Sequence, residues 1–126
     1  MRLHRKALKS GTHFRHLDPS ARHQLRIALK KLRYTTELFH GVHNGSSDAK
    51  GYLTCLFTLQ DMLGHDNDAA MTQPFLRTLS LEPATPEVHR AIGVVMGWQA
   101  RDRIAVRSSL HKHWQRFKAI QPFWSN

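Results

Sequence analysis

Apolar residues recur along most of this chain at intervals of three and four, which is the period of an α-helix. The clearest stretch follows Asp18 and Pro19, which suit the N-cap and the first turn of a helix. The pattern predicts a helix from Pro19 to about Val42 that ends at His43-Asn44-Gly45. We expect it to bury a face made of Leu25, Ala28, Leu29, Leu32, Thr36 and Phe39.

The alternating pattern of a β-strand is absent, and the helical period predicts helices at four further places. They cover about 3–9, about 49–63, about 68–79 and about 86–120. Gly64 and the polar residues His65-Asp66-Asn67-Asp68 are expected to form a turn. We therefore expect an all-α protein, an antiparallel four-helix bundle with an extra basic N-terminal helical segment, in one domain over residues 1–126.

A stripe of basic residues runs along the predicted helix that begins at Pro19. It lies within an arc of about 100°, has apolar surface on both sides, and spans about 16 Å of the helix axis. Like charges on this spacing repel one another unless an anion lies between them, so the stripe predicts a groove for an anionic ligand. The alternative is a solvated basic face with one ion pair between Arg33 and Glu37. The stripe consists of Arg22, His23, Arg26, Lys30 and Arg33 and is continued by Glu37.

Two arginines of the last predicted helix lie close to its apolar seam. Arg103 projects near the middle of the seam and Arg107 projects at its edge, and a charge within a seam needs a partner or a ligand. Either Arg103 pairs with an acidic residue inside the bundle, or both arginines face the basic stripe across a shared anion site. On the same helix, Gly93 and Gly97 lie where a neighbouring helix could approach closely. The seam consists of Ile92, Val95, Met96, Leu110, Trp114 and Phe117.

The charge balance favours an anionic partner. The 126 residues include 19 Lys and Arg against 9 Asp and Glu, which gives a net charge of +10. Such a protein is expected to bind polyanions such as nucleic acid, anionic lipid or polyphosphate. The lone Cys55 cannot form an internal disulfide, and the N-terminal residues lack the apolar run of a secretory signal, so we expect a cytoplasmic protein.

Patterns typical of catalysis are missing. The sequence has no H-E-x-x-H motif, paired C-x-x-C motif, nucleophile elbow, phosphate-binding loop or dinucleotide fingerprint. We therefore expect no enzymatic activity, no cofactor and no metal site. An enzyme of phosphate chemistry would need metal-binding acids, and Asp61, Asp66 and Asp68 are the only local cluster.

Two motifs resemble the CHAD family, the conserved histidine α-helical domain. Residues 22–39 are similar to the family pattern H-x-x-R-(I/V)-x-x-K-(K/R)-L-R-Y-x-x-E. Residues 59–68 are similar to its L-Q-x-x-L-G-x-x-N-D pattern, and the resemblance covers roughly residues 1–120. The first motif is matched at His23, Arg26, Ile27, Lys30, Lys31, Leu32, Arg33, Tyr34 and Glu37.

The resemblance implies an all-helical, non-enzymatic module that binds inorganic polyphosphate along a basic groove. It carries over His23, Arg26, Lys30 and Arg33 as polyphosphate contacts, and Tyr34 and Glu37 as packing and orienting residues. With the positions from helical projection, the expected site is Arg22, His23, Arg26, Lys30, Arg33, Arg103 and Arg107. The resemblance also extends the expected location to polyphosphate granules.

A full CHAD domain has two similar helical halves, and this chain resembles only the second, C-terminal half. A homodimer would rebuild a two-sided groove. The competing interpretation is a basic helical protein that binds nucleic acid. It is disfavoured because the stripe holds no aromatic residue for base stacking.

Overall fold

The computed structural model describes residues 2–42 and 46–125, and within these ranges the fold is all-α, as predicted. The helices are α1 (Arg2–Ser10), α2 (Pro19–Val42), α3 (Ser47–Leu81) and α4 (Pro86–Ala119), with short 3₁₀ turns at Phe14–His16 and Phe123–Ser125. The predicted end of α2 at His43-Asn44-Gly45 lies outside the described residues. No helix in the described part of the chain has an apolar stretch long enough to cross a bilayer.

The predicted turn at Gly64 and residues 65–68 is wrong, because α3 continues through it. The third and fourth predicted helices are one helix of 35 residues, with Pro74 in its interior. Within the described residues the bundle therefore has three long helices and the short basic α1. A glycine in a helix costs only about 1 kcal/mol. Leu59, Leu63 and Asp66 are all buried on one face of α3, so packing on both sides of Gly64 outweighs its weak helix propensity.

The buried side chains lie at one end of the molecule. α1, α2, the first half of α3 and the last turns of α4 pack around one core. Leu110, Trp114 and Phe117 of the predicted α4 seam are buried there, whereas its other three members, Ile92, Val95 and Met96, are not buried because they lie away from this core. None of residues 67–109 is buried. We call residues 67–109 the arm, which is a pair of helical segments from α3 and α4, and we call the rest of the described chain the body.

A ring of aromatic contacts joins the two ends of the chain inside the body. Nδ1 of His4 on α1 lies 2.7 Å from the hydroxyl oxygen of Tyr52 on α3, and both residues are buried. Burial lowers the pKa of His4 and so favours its neutral form. The ring of Trp124, near the end of the described chain, stands edge-on to both of them.

The close helix approach predicted at Gly93 and Gly97 is absent. A Cβ atom at either position would meet no other residue within 4 Å, because both glycines face open space on the arm. The close approach occurs instead at buried Gly11, between α1 and the first 3₁₀ turn. A Cβ there would lie 2.1 Å from Cζ2 of Trp114, so the indole ring requires glycine.

Replacing Gly11 by alanine is therefore expected to destabilise the fold. The new methyl group must displace the Trp114 ring, and overpacking of this kind costs about 1–3 kcal/mol. Gly93→Ala is the matched control and is expected to stabilise by about 0.5–1 kcal/mol, because alanine is the better helix former. Urea unfolding measures both, and a Gly11→Ala protein as stable as the parent would contradict the packing described.

Candidate functional site

The start of α2 positions the first two arginines of the basic stripe. The side chain of Asp18 accepts a hydrogen bond from the backbone N–H of Ala21 at 2.7 Å, so it caps the helix as predicted. Arg22 and Arg26 follow within two turns and are half-buried beside the core residues Leu25 and Leu29. The helix start therefore holds both guanidinium groups at the edge of the core.

One buried carboxylate brings three helices together. The side chain of Asp66 on α3 is only 3% exposed, and its Oδ2 receives a hydrogen bond from Nη1 of Arg22 on α2. Nε of Arg103 on α4 donates to Oδ1 of Asp66 at 3.2 Å, and Nε of Arg107 lies 3.8 Å from the same oxygen. Burying a carboxylate without cations would cost several kcal/mol, so these contacts are required for its position.

This arrangement confirms the first interpretation of Arg103 that the sequence left open, an ion pair inside the bundle, while the shared anion site stays a prediction. Arg103 pairs with an acid inside the bundle, and it also lines one cleft with Arg22, Arg26 and Arg107. Four of the seven predicted site residues therefore share a cleft of about 380 Å³. Arg15, in the first 3₁₀ turn, lines the same cleft.

Two further cavities, of about 410 and 430 Å³, share lining residues with the cleft. The first and second cavities share Arg15, Arg22 and Arg107, and the second and third share Arg15 and His111. We call this run of three cavities the basic track. Its charged lining residues are Arg15, Arg22, Arg26, Arg103, Arg107, Lys112 and Lys118, against Asp66 alone among acids.

The arginines retain unused donors. A guanidinium carries five N–H donors, whereas one carboxylate offers two oxygen atoms. The contacts of Asp66 are made through Nη1 of Arg22 and through Nε of Arg103 and Arg107. Most N–H groups of the three side chains remain available to oxyanions, and the excess of cations along the basic track attracts such a ligand.

Arg33 does not share the basic track. It lies 11 residues after Arg22 on α2, about 16 Å farther along the axis. Its guanidinium carbon is 4.8 Å from the ring centroids of both Tyr34 and Phe57, and its Nε is 3.5 Å from Oε1 of Glu37. The predicted ion pair between Arg33 and Glu37 is therefore present.

Arg33 lines a separate cavity of about 500 Å³ with Asp61, His65 and Asp68. This cavity is larger than any in the basic track, but its acids offset its cation, so it is the weaker candidate for an anion. Oδ2 of Asp102 accepts a hydrogen bond from Nε2 of His65 at 3.0 Å, and this bond raises the pKa of His65. No group of three or more His, Cys, Asp or Glu in the described ranges is placed to hold a metal ion.

The two remaining predicted site residues, His23 and Lys30, are exposed on α2. The ammonium nitrogen of Lys30 lies 5.8 Å from the ring centroid of Tyr34. The sequence interpretation missed two charged residues of the cleft, Asp66 and Arg15. Asp66 was assigned to a turn, although its position three residues after buried Leu63 would place it on the core face of a continuous helix. Arg15 lies in a loop for which periodicity gives no signal.

Comparisons with known proteins support the motif-based resemblance. A family model described as the CHAD domain matches residues 1–77, which include α1, α2 and most of α3. The matched range contains Arg22, Arg26 and Asp66 and ends before α4 supplies Arg103 and Arg107. Neither the curated proteins nor the solved structures contain a match to the chain. The family model matches more than half of the 126 residues of the chain, so the chain belongs to the CHAD domain family.

Proposed function

We propose that this protein is a non-enzymatic module that binds inorganic polyphosphate along the basic track. One observation carries the proposal: Arg22, Arg103 and Arg107 converge on the single buried carboxylate of Asp66 and keep most of their donors unused. CHAD domains are known in polyphosphate-related proteins, which supports this choice of anion.

The shape of the basic track suits a linear polyanion better than a single phosphate group. Three adjoining cavities provide cations from the first 3₁₀ turn, α2 and α4, so successive phosphates of one chain would meet successive guanidinium and ammonium groups. Arginine gives bidentate hydrogen bonds to phosphate oxygens, and lysine adds a point charge. Several such contacts would make binding tight at low salt and strongly salt-dependent.

The lining of the track disfavours single-stranded nucleic acid as the preferred ligand. Proteins that bind single strands stack bases on exposed aromatic rings. Phe14 and Trp114 line the track, but they are 8% and 2% exposed and stack on each other with ring centroids 5.0 Å apart. Nucleic acid therefore stays the second candidate, supported by the net charge alone.

The placement of the acids supports a binding role rather than catalysis. Asp66 is held by arginines, whereas Asp61 and Asp68 line the other cavity. The three carboxylates thus do not line one cavity as a two-metal phosphate site would require. A loss of phosphate turnover on substituting Asp61 or Asp68 would contradict this part of the proposal.

Reversing the charge of Arg26 is expected to weaken polyphosphate binding about tenfold or more, because a charge-assisted contact in the track is lost. The slope of the logarithm of the affinity against the logarithm of the salt concentration should become shallower by roughly one unit. Fluorescence anisotropy with labelled polyphosphate measures the affinities of Arg26→Glu and of a control, Lys31→Glu. The control makes the same charge change at an exposed position of α2 outside the stripe. Equal losses in the two variants, with unchanged helical content, would show that only net charge matters.

We also propose that two copies of the chain associate through the arm. The arm carries five basic and four acidic residues, whereas the rest of the chain carries fourteen and five. Two copies can therefore meet at the arm with little like-charge repulsion. Many exposed large apolar side chains on one pair of helices favour an interface. Its exposed large apolar residues are Met71, Phe75, Leu79, Leu81, Val88, Val94, Val95, Trp98 and Ile104.

Trp98 on the arm is 70% exposed. Its replacement by glutamate is expected to convert the dimer to a monomer, because the glutamate charge would be buried in the interface without a partner. Analytical ultracentrifugation over a concentration series measures the change. Thr54→Glu, at an exposed position of the body, should leave the dimer unchanged. A parent protein that stays monomeric at every concentration would refute this assembly.

A further inference from the structure

Among the described residues that line the basic track, Asp66 is the one acidic residue. A carboxylate repels phosphate, so its presence at the centre of an anion site requires a role that outweighs the repulsion. The side chain is also almost fully buried, at 3% exposure. Asp66 therefore lies beneath the arginines that line the cleft and is not exposed to solvent at its edge.

The two oxygens of Asp66 divide the arginines between two helices. Oδ2 contacts Arg22 of α2, and Oδ1 contacts Arg103 and Arg107 of α4. Without the carboxylate, three flexible cations of like sign would repel one another and take up separate orientations. With it, Arg22 and Arg103 are each held by a hydrogen bond at one nitrogen atom, and Arg107 is attracted to the same carboxylate at 3.8 Å.

We propose that Asp66 is a positioning residue that makes the track selective for polyphosphate over other polyanions. This inference rests on the proposed function, because it concerns the same site. Asp66 holds three guanidinium groups as a preformed array, which matches a chain whose phosphates follow one another directly. In a nucleic acid, sugars separate the phosphates, so fewer of them meet this array and binding depends more on net charge.

Substitution of Asp66 by asparagine separates positioning from net charge. The change removes one negative charge from the track, and simple attraction then predicts tighter binding of every polyanion. Positioning predicts the opposite for polyphosphate, because asparagine keeps only one acceptor oxygen and puts an NH₂ group, which cannot accept from a guanidinium, in place of the other. It predicts no loss for single-stranded DNA, whose binding follows net charge.

The experiment titrates the parent, Asp66→Asn and Asp61→Asn with labelled polyphosphate and with single-stranded DNA of equal phosphate number. Asp61 is the matched control, because it lies on the same helix, is exposed, and lines the other cavity. Asp66→Asn should weaken polyphosphate binding roughly fivefold or more and leave DNA binding equal or tighter. Asp61→Asn should change both affinities by less than about twofold.

The outcomes distinguish this inference from the function on which it rests. A parent protein that binds polyphosphate no better than DNA refutes the proposed function. A selective parent whose Asp66→Asn variant binds polyphosphate as well or better refutes the positioning role. If Asp66→Asn loses helical content, a second variant, Arg107→Lys, tests the inference instead. Arg107 is half-exposed, so this change should not disturb the fold, and lysine keeps the positive charge but lacks the forked donor of arginine. Selectivity should then fall in Arg107→Lys, and unchanged selectivity overturns the inference.

Discussion

The Asp66 carboxylate and the three arginines around it are the interaction on which the rest of this structure depends. Asp66 lies where α2, α3 and α4 meet, and it contacts an arginine from each of the other two helices. The same contacts hold the helices in register and place cations along the cleft. Because one acid cannot balance three guanidinium groups, the junction keeps an excess of positive charge, and binding an anion reduces it.

Asp66 also lies at the boundary between the two parts of the molecule. Before it, side chains of α3 enter the core with α1, α2 and the end of α4, whereas beyond it the two long helices contribute no buried residue up to Leu110. The body therefore carries the core and most of the charge, and the arm carries a large exposed apolar surface. Polyphosphate binding is proposed for the basic track, and self-association is proposed for the apolar surface of the arm. The two regions meet at Arg103 and Arg107, which belong to the arm and line the track.

The sequence was sufficient for features that local chemistry determines. The start of α2 follows from Asp18 and Pro19, and its basic stripe follows from the helical period. The predicted buried face is correct except for Phe39, which is 51% exposed because it lies beyond the last buried turn of the helix. The continuity of α3 could not be predicted, because Gly64 signals a break locally and only long-range packing of Leu63 and Asp66 overrides that signal.

The site was predictable in part for the same reason. Helical projection placed Arg22 and Arg26 together and showed that Arg103 needs a partner, but the identity of that partner depends on how three helices pack. Arg33 shares the stripe in projection, yet it lies at another level of the axis and meets Glu37 and two aromatic rings instead. Helical projection gives the direction in which a side chain leaves the helix, but not which residues of other helices pack at that position along the axis.

The measurement that tests the central claim most directly is a titration of the protein with polyphosphate of defined length, followed through the NMR signals of the arginine Nε–H groups. The signals of Arg15, Arg22, Arg26, Arg103 and Arg107, which line one cleft, should shift together and saturate at the same ligand concentration. Those of Arg77, Arg90 and Arg101 on the arm should stay in place. Equal shifts in both groups would show that polyphosphate binds by net charge over the whole surface, and would contradict a specific site at Asp66.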